Sequence, residues 1–241
     1  MTPIPAEDPL AVSLVAAIRA GDVAALQSLL DGDAELATSR IVDDRQCART
    51  LLHIVADWPG HWPHGAQTVR LLAERGADVN ARFSHPDRRE VAETPLHWAA
   101  SSDDVAVLDA LLDAGADIEA GGAVFTGGTA MSDAVVFAQW NAARRLLERG
   151  AKTTFWQAAA LGLVEEVRKS LLDVHPDGRD ITNAFWHACR GGQHEVAELL
   201  LGHGADLHWI GYDRKRPLDV AEESGNGGLV AWLRAQGATA R

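Results

Sequence analysis

Thr94-Pro95-Leu96-His97-Trp98-Ala99-Ala100 opens a stretch that runs through Leu111-Leu112 to Gly115-Ala116-Asp117, and its reading decides the fold. The Thr94 hydroxyl can cap a helix, and Pro95 follows at the first helical position, where a missing N–H costs nothing. Leu96, Ala99 and Ala100 give that helix a narrow apolar side suited to a close neighbour. Ser101 to Asp104 interrupt the pattern, and Val105, Leu108, Leu111 and Leu112 restart it at helical spacing. Gly115 falls where a left-handed helix stop is expected. Neither helix could bury its apolar side alone, so similar pairs are expected before and after it.

Joined in that order, the capping residues, packing positions and turn resemble the ankyrin repeat. Weaker copies recur along the chain. Leu51-Leu52-His53 leads to Gly76-Ala77-Asp78; Thr129-Ala130-Met131-Ser132 leads to Gly150-Ala151; Phe185-Trp186-His187 leads to Gly204-Ala205-Asp206. Stretches from Leu10, Thr153 and Arg216 complete the series, which is similar to divergent repeats of bacterial type. The resemblance implies an all-α ankyrin-repeat solenoid of about seven helix–turn–helix units over residues 10–238, between short tails at 1–9 and 239–241. It also implies a curved stack whose concave face binds a partner. The finger that normally separates repeats is missing before Thr153, so a local opening of the groove is expected there.

A net charge of −12 argues against a phosphate backbone as partner. No apolar run reaches the length of a membrane span, and MTPIPAEDPL has neither the basic start nor the apolar stretch of a secretory signal. Cys47 and Cys189 form no disulfide framework and no zinc spacing. A cytoplasmic location is the expectation, with no nucleic-acid or membrane partner.

The residues that depart from the template carry the functional expectations. His53 and His97 occupy the motif histidine, which the resemblance implies bonds to loop backbone. Alignment on the apolar positions puts Ser132, Trp156 and Trp186 at that place in later units. Trp98, Asp133, Gln157 and His187 come one residue further on: an indole, a carboxylate, an amide and an imidazole in register. Asp57, four residues after His53, shares its helix face and is expected to pair with it. Trp58, His61, Trp62 and His64 follow in a loop bounded by Pro59 and Pro63, which is expected to project over the groove.

No nucleophile motif is present, because Cys189 and His187, two apart, point to different sides of a helix. His53, Asp57, Asp133 and His187 are the acid–base candidates. His61 and His64 lack further ligands at a recognisable spacing, so no metal site and no cofactor are expected. The leading expectation is recognition of a protein segment through the aromatic-rich concave face, using Asp57, Trp58, His61, Trp62, Trp98, Asp133, Trp156, Gln157, Trp186 and His187. The alternative is a small-molecule site or an enzyme in a Trp/His/Asp-lined pocket of the same groove.

Overall fold

The computed structural model describes residues 3–88 and 92–240. Residues 1, 2 and 241 of the expected tails, and 89–91 of the finger before Thr94, lie outside the described residues. The chain divides into two compact units, Met1–Ala151 and Lys152–Arg241. The division falls in the short connection before Thr153.

The first unit is built from helices α1 (Pro9–Ala20), α2 (Val23–Gly32), α3 (Leu51–Ala56), α4 (Gly65–Glu74), α5 (Pro95–Ser101), α6 (Val105–Asp113), α7 (Ala130–Val136) and α8 (Trp140–Glu148). The odd-numbered helices form one layer, α1 on α3, α3 on α5 and α5 on α7. The even-numbered ones form a second, α2 on α4, α4 on α6 and α6 on α8. Leu14, Ile18, Leu51, Leu52, Leu96, Leu108 and Leu111 are fully buried between the layers. The second unit repeats the plan with α9 (Phe155–Leu161), α10 (Val164–Asp173), α11 (Gly178–Arg190), α12 (His194–Gly202), α13 (Pro217–Ser224) and α14 (Gly227–Ala235). There α9 packs on α11, α11 on α13 and α10 on α12.

Local chemistry places the helix ends. The Asp22 and Asp104 carboxylates accept the backbone N–H of Ala25 and Val107 and start α2 and α6. The glycine after the second helix of a pair recurs at nearly one backbone angle, φ 88 at Gly76, 94 at Gly115, 92 at Gly150, 91 at Gly204 and 92 at Gly237. That conformation is open to glycine and strained for other residues, which explains why the G-A-D turn is so legible in the sequence.

Two departures from the expected plan follow. The fold is all-α except for a small sheet of three three-residue strands: β1 (Pro3–Pro5) runs parallel to β2 (Arg40–Val42), which pairs antiparallel with β3 (Ala48–Thr50). Residues 3–5, expected as tail, are therefore a paired edge strand, a setting that tolerates Pro3 and Pro5. Asp43 closes the β2–β3 turn by accepting from the N–H groups of Arg45 and Cys47. The second departure is α11, which starts five residues earlier than Asn183. Asp177 caps it by accepting from Arg179 and Asp180 N–H, both at 2.8 Å.

Candidate functional site

The motif position at the third residue of the first helix is a structural linchpin. His53 Nδ1 accepts from the Thr50 hydroxyl at 2.8 Å and its backbone N–H at 3.3 Å, and Nε2–H donates to the Glu93 carbonyl at 3.1 Å. His97 repeats this with Thr94 at 2.9 and 3.1 Å and with the Gly128 carbonyl at 3.2 Å. A carbonyl can only accept, so both rings are Nε2–H tautomers with no lone pair left. Burial holds the pKa of His53 down at about 3 and that of His97 at about 4. Neither ring is free to act as a general base. His53 makes no bond to Asp57, which corrects the expected pair: Asp57 ends α3 and faces Arg49 at 3.5 Å and Arg19 at 3.6 Å instead. Burial pushes the Asp57 carboxyl up, against those two guanidiniums.

In the second unit Gln157, not Trp156, holds the histidine place, since its side chain accepts from the Thr154 N–H at 2.7 Å and closes the same capping box. The register slip arose because the apolar residues of α9 align one place away from its cap. Trp186 does replace a motif histidine. Its indole N–H donates to the Lys215 carbonyl at 2.9 Å, and at 1% exposure it offers no surface to a partner.

The proline-bounded loop does not overhang the fingers. It lies along the turns inside the two neighbouring helix pairs, α1–α2 and α5–α6. His61 N–H donates to Asp104 Oδ2 at 2.7 Å, and its Nε2 to the Ser102 carbonyl at 3.1 Å. Trp62 lies under the Arg19 guanidinium at 5.4 Å, and Gly21 abuts the Pro63 carbonyl. Trp58, 76% exposed, stands clear, and His64 at the head of α4 is exposed as well. Gly21 has φ 67, and an added Cβ would lie 2.2 Å from the Pro63 oxygen. Gly21→Ala should therefore lower stability by about 2–4 kcal/mol, combining left-handed strain and overpacking. Gly76→Ala, where a Cβ meets nothing within 4 Å, should cost only the strain. Equal urea midpoint shifts in the two variants would refute the close approach of Gly21 to Pro63.

Two ring clusters remain. In the first unit Trp98 packs edge-on to His53 at 4.9 Å and tilted against Phe83 at 5.4 Å. Its indole N–H donates to Glu93 Oε2 at 3.1 Å, while Glu93 Oε1 accepts the Val124 N–H at 3.2 Å. Glu93 also shares a hydrogen bond with Asp133 on α7. Asp133 is 1% exposed, and its Oδ2 has no hydrogen-bond partner. Burial, then the Glu93 charge, pushes its carboxyl up to about 8. Phe137, four residues beyond Asp133, stacks on Phe125, the neighbour of Val124, at 5.8 Å. These phenyls are 41% and 70% exposed. Glu93 was missed in the sequence because it precedes the motif; an acid beside Thr94 facing a second acid one repeat later was the available signal.

In the second unit His187 is enclosed by Trp156 at 4.6 Å, Trp186 at 5.0 Å and Tyr212 at 5.7 Å. Its Nδ1 has no hydrogen-bond partner, and burial, helped by Arg190, holds its pKa down at about 3. Trp156 is half-buried, Gln157 is buried, and Tyr212 is exposed. Among the described residues no three His, Cys, Asp or Glu side chains gather to hold a metal ion, and no helix is long and apolar enough to cross a membrane.

Paired helices, left-handed glycine stops and carbonyl-linked motif residues define a helical-repeat protein. The ankyrin repeat family model matches residues 48–83, 93–122 and 182–211, so these three stretches are ankyrin repeats. No curated protein matches the chain.

Proposed function

We propose that this chain is a binding module that takes a protein segment across the exposed rings beside α5 and α7, and that the helix pairs outside the three matched stretches are degenerate copies of the same repeat. The observation that carries the reading is the Phe125–Phe137 pair, two large apolar rings left open to solvent next to Trp98 and Glu93. Exposed aromatic anchors flanked by polar groups are what interface hot spots use. The acid–base alternative has little support, since His53, one of its two imidazoles, is consumed by capping.

The double variant Phe125→Ser, Phe137→Ser tests it. Binding partners captured by the wild-type chain should be lost or weakened at least tenfold, with the melting temperature nearly unchanged because both rings are exposed. Undiminished capture by a folded double variant would overturn the proposal.

A further inference from the structure

We infer that Arg190, near the end of α11, is the seat of an anion site in the second unit, one that takes an oxyanion carried beside a flat ring of a partner segment. The site lies wholly within Lys152–Arg241 and shares no residue with the Phe125–Phe137 patch. It therefore goes beyond the reading above and stands or falls separately from it.

Three observations converge. The Arg190 guanidinium is only partly exposed, yet among the described residues it donates to no acceptor and lies in no ion pair. It rests over the Trp186 indole at 5.6 Å, which occupies its face and leaves its N–H edge unclaimed. Burial pulls this group below its ordinary pKa, and the charges of Asp213 and Glu223 do not make up the loss. Glu223 is itself held by Lys215 at 2.6 Å. A cation half withdrawn from water with no counter-charge in contact is costly, and an anion relieves it.

The rings beside Arg190 are open to an incoming group. Tyr212 packs on the same indole at 5.3 Å and is 54% exposed, and half-buried Trp156 lies against His187 at 4.6 Å. Finally, His187 shares Trp186 with Arg190 and leaves its buried Nδ1 without a hydrogen-bond partner, whereas His53 and His97 spend both ring nitrogens on their own chain. His187 is a floor held by ring contacts; the ligand has to reach only Arg190 and the rims of Tyr212 and Trp156. A carboxylate or phosphate can accept two parallel N–H bonds from the guanidinium while its ring lies against those rims. The charge balance permits it. Lys152–Arg241 contains 10 Lys and Arg against 12 Asp and Glu, close to neutral, while Met1–Ala151 contains 12 against 22.

The test uses the full chain and three probes. N-acetyltyrosine has a free carboxylate, N-acetyltyrosinamide keeps the ring and loses the charge, and N-acetyl-O-phosphotyrosinamide moves the charge onto the ring. Tryptophan fluorescence titrations should show at least one anion bound about tenfold or more tightly than the neutral amide. The tighter of the two identifies the source, a chain end for the carboxylate or a phosphorylated tyrosine for the phosphate. Arg190→Gln should remove the preference, and Arg179→Gln, at an exposed position in the first turn of α11, should keep it. Arg190→Lys keeps the charge without the planar fork and guards against a folding defect in the glutamine variant; it should weaken the anions about threefold. Equal binding of all three probes, no binding of any, an anion preference surviving Arg190→Gln, or full affinity in Arg190→Lys would overturn the inference.

Discussion

Between pH 7.5 and pH 5 the Asp133→Asn variant will lose much of its resistance to urea, because His53, His97 and His187 fold as neutral rings and the opposing titration of Asp133 is absent. Their pKa values in the fold lie at about 3, 4 and 3, below the ordinary value of 6.5. The unfolded chain therefore binds protons that the folded chain refuses. Their contribution is fully present above pH 6.5 and is lost as the pH falls toward the folded values. Each ring costs about 1.4 kcal/mol per pH unit over that range. The first unit holds two such rings, roughly 3 kcal/mol per unit, against a typical domain stability of about 5–15 kcal/mol. Urea midpoints followed by helical circular dichroism at pH 7.5, 6 and 5 will read the loss. A midpoint of that variant that stays level across that range would mean the rings are not held neutral.

Replacing Asp133 by Asn should stabilise the protein at pH 7.5, by about 2–4 kcal/mol. The sign is opposite to that of the histidines. An acid whose pKa is raised from 3.8 to about 8 favours folding fully below 3.8, and that advantage disappears as the pH climbs through 8. Near neutrality the unfolded chain carries Asp133 ionised, whereas the fold must retain a proton beside Glu93. Asparagine removes that requirement and can donate its amide to the Glu93 carboxylate. The gain should shrink toward nothing as the pH falls below 3.8, where Asp133 is protonated in both states of the wild type. A variant that is less stable at pH 7.5, or a difference that does not vary with pH, would contradict the arrangement.

The repeat was legible because its punctuation is chemical: Thr94-Pro95 and Gly115 can each do little else at a helix start and a helix stop. The histidine links were legible for the same reason. Where a unit departs from consensus, the apolar spacing and the cap disagree, as in α9, and only the bonds of Gln157 settle the register. The loop at 57–64 looked like a groove feature because its composition is aromatic. Its position is decided by Gly21, Ser102 and Asp104, residues far away in the chain that no local pattern connects to it. Glu93 was invisible because its role depends on meeting Asp133 across a repeat boundary.

The carbonyl links all point one way along the chain: His53 reaches forward to Glu93, His97 to Gly128, and Trp186 to Lys215. Each of these three repeats thus leans on the segment that follows it. Until the following segment is in place, each of these three rings carries an unmet donor. Trimming from the front removes a lender's client and leaves the rest paired, whereas trimming from the back strands a buried donor at the new terminus.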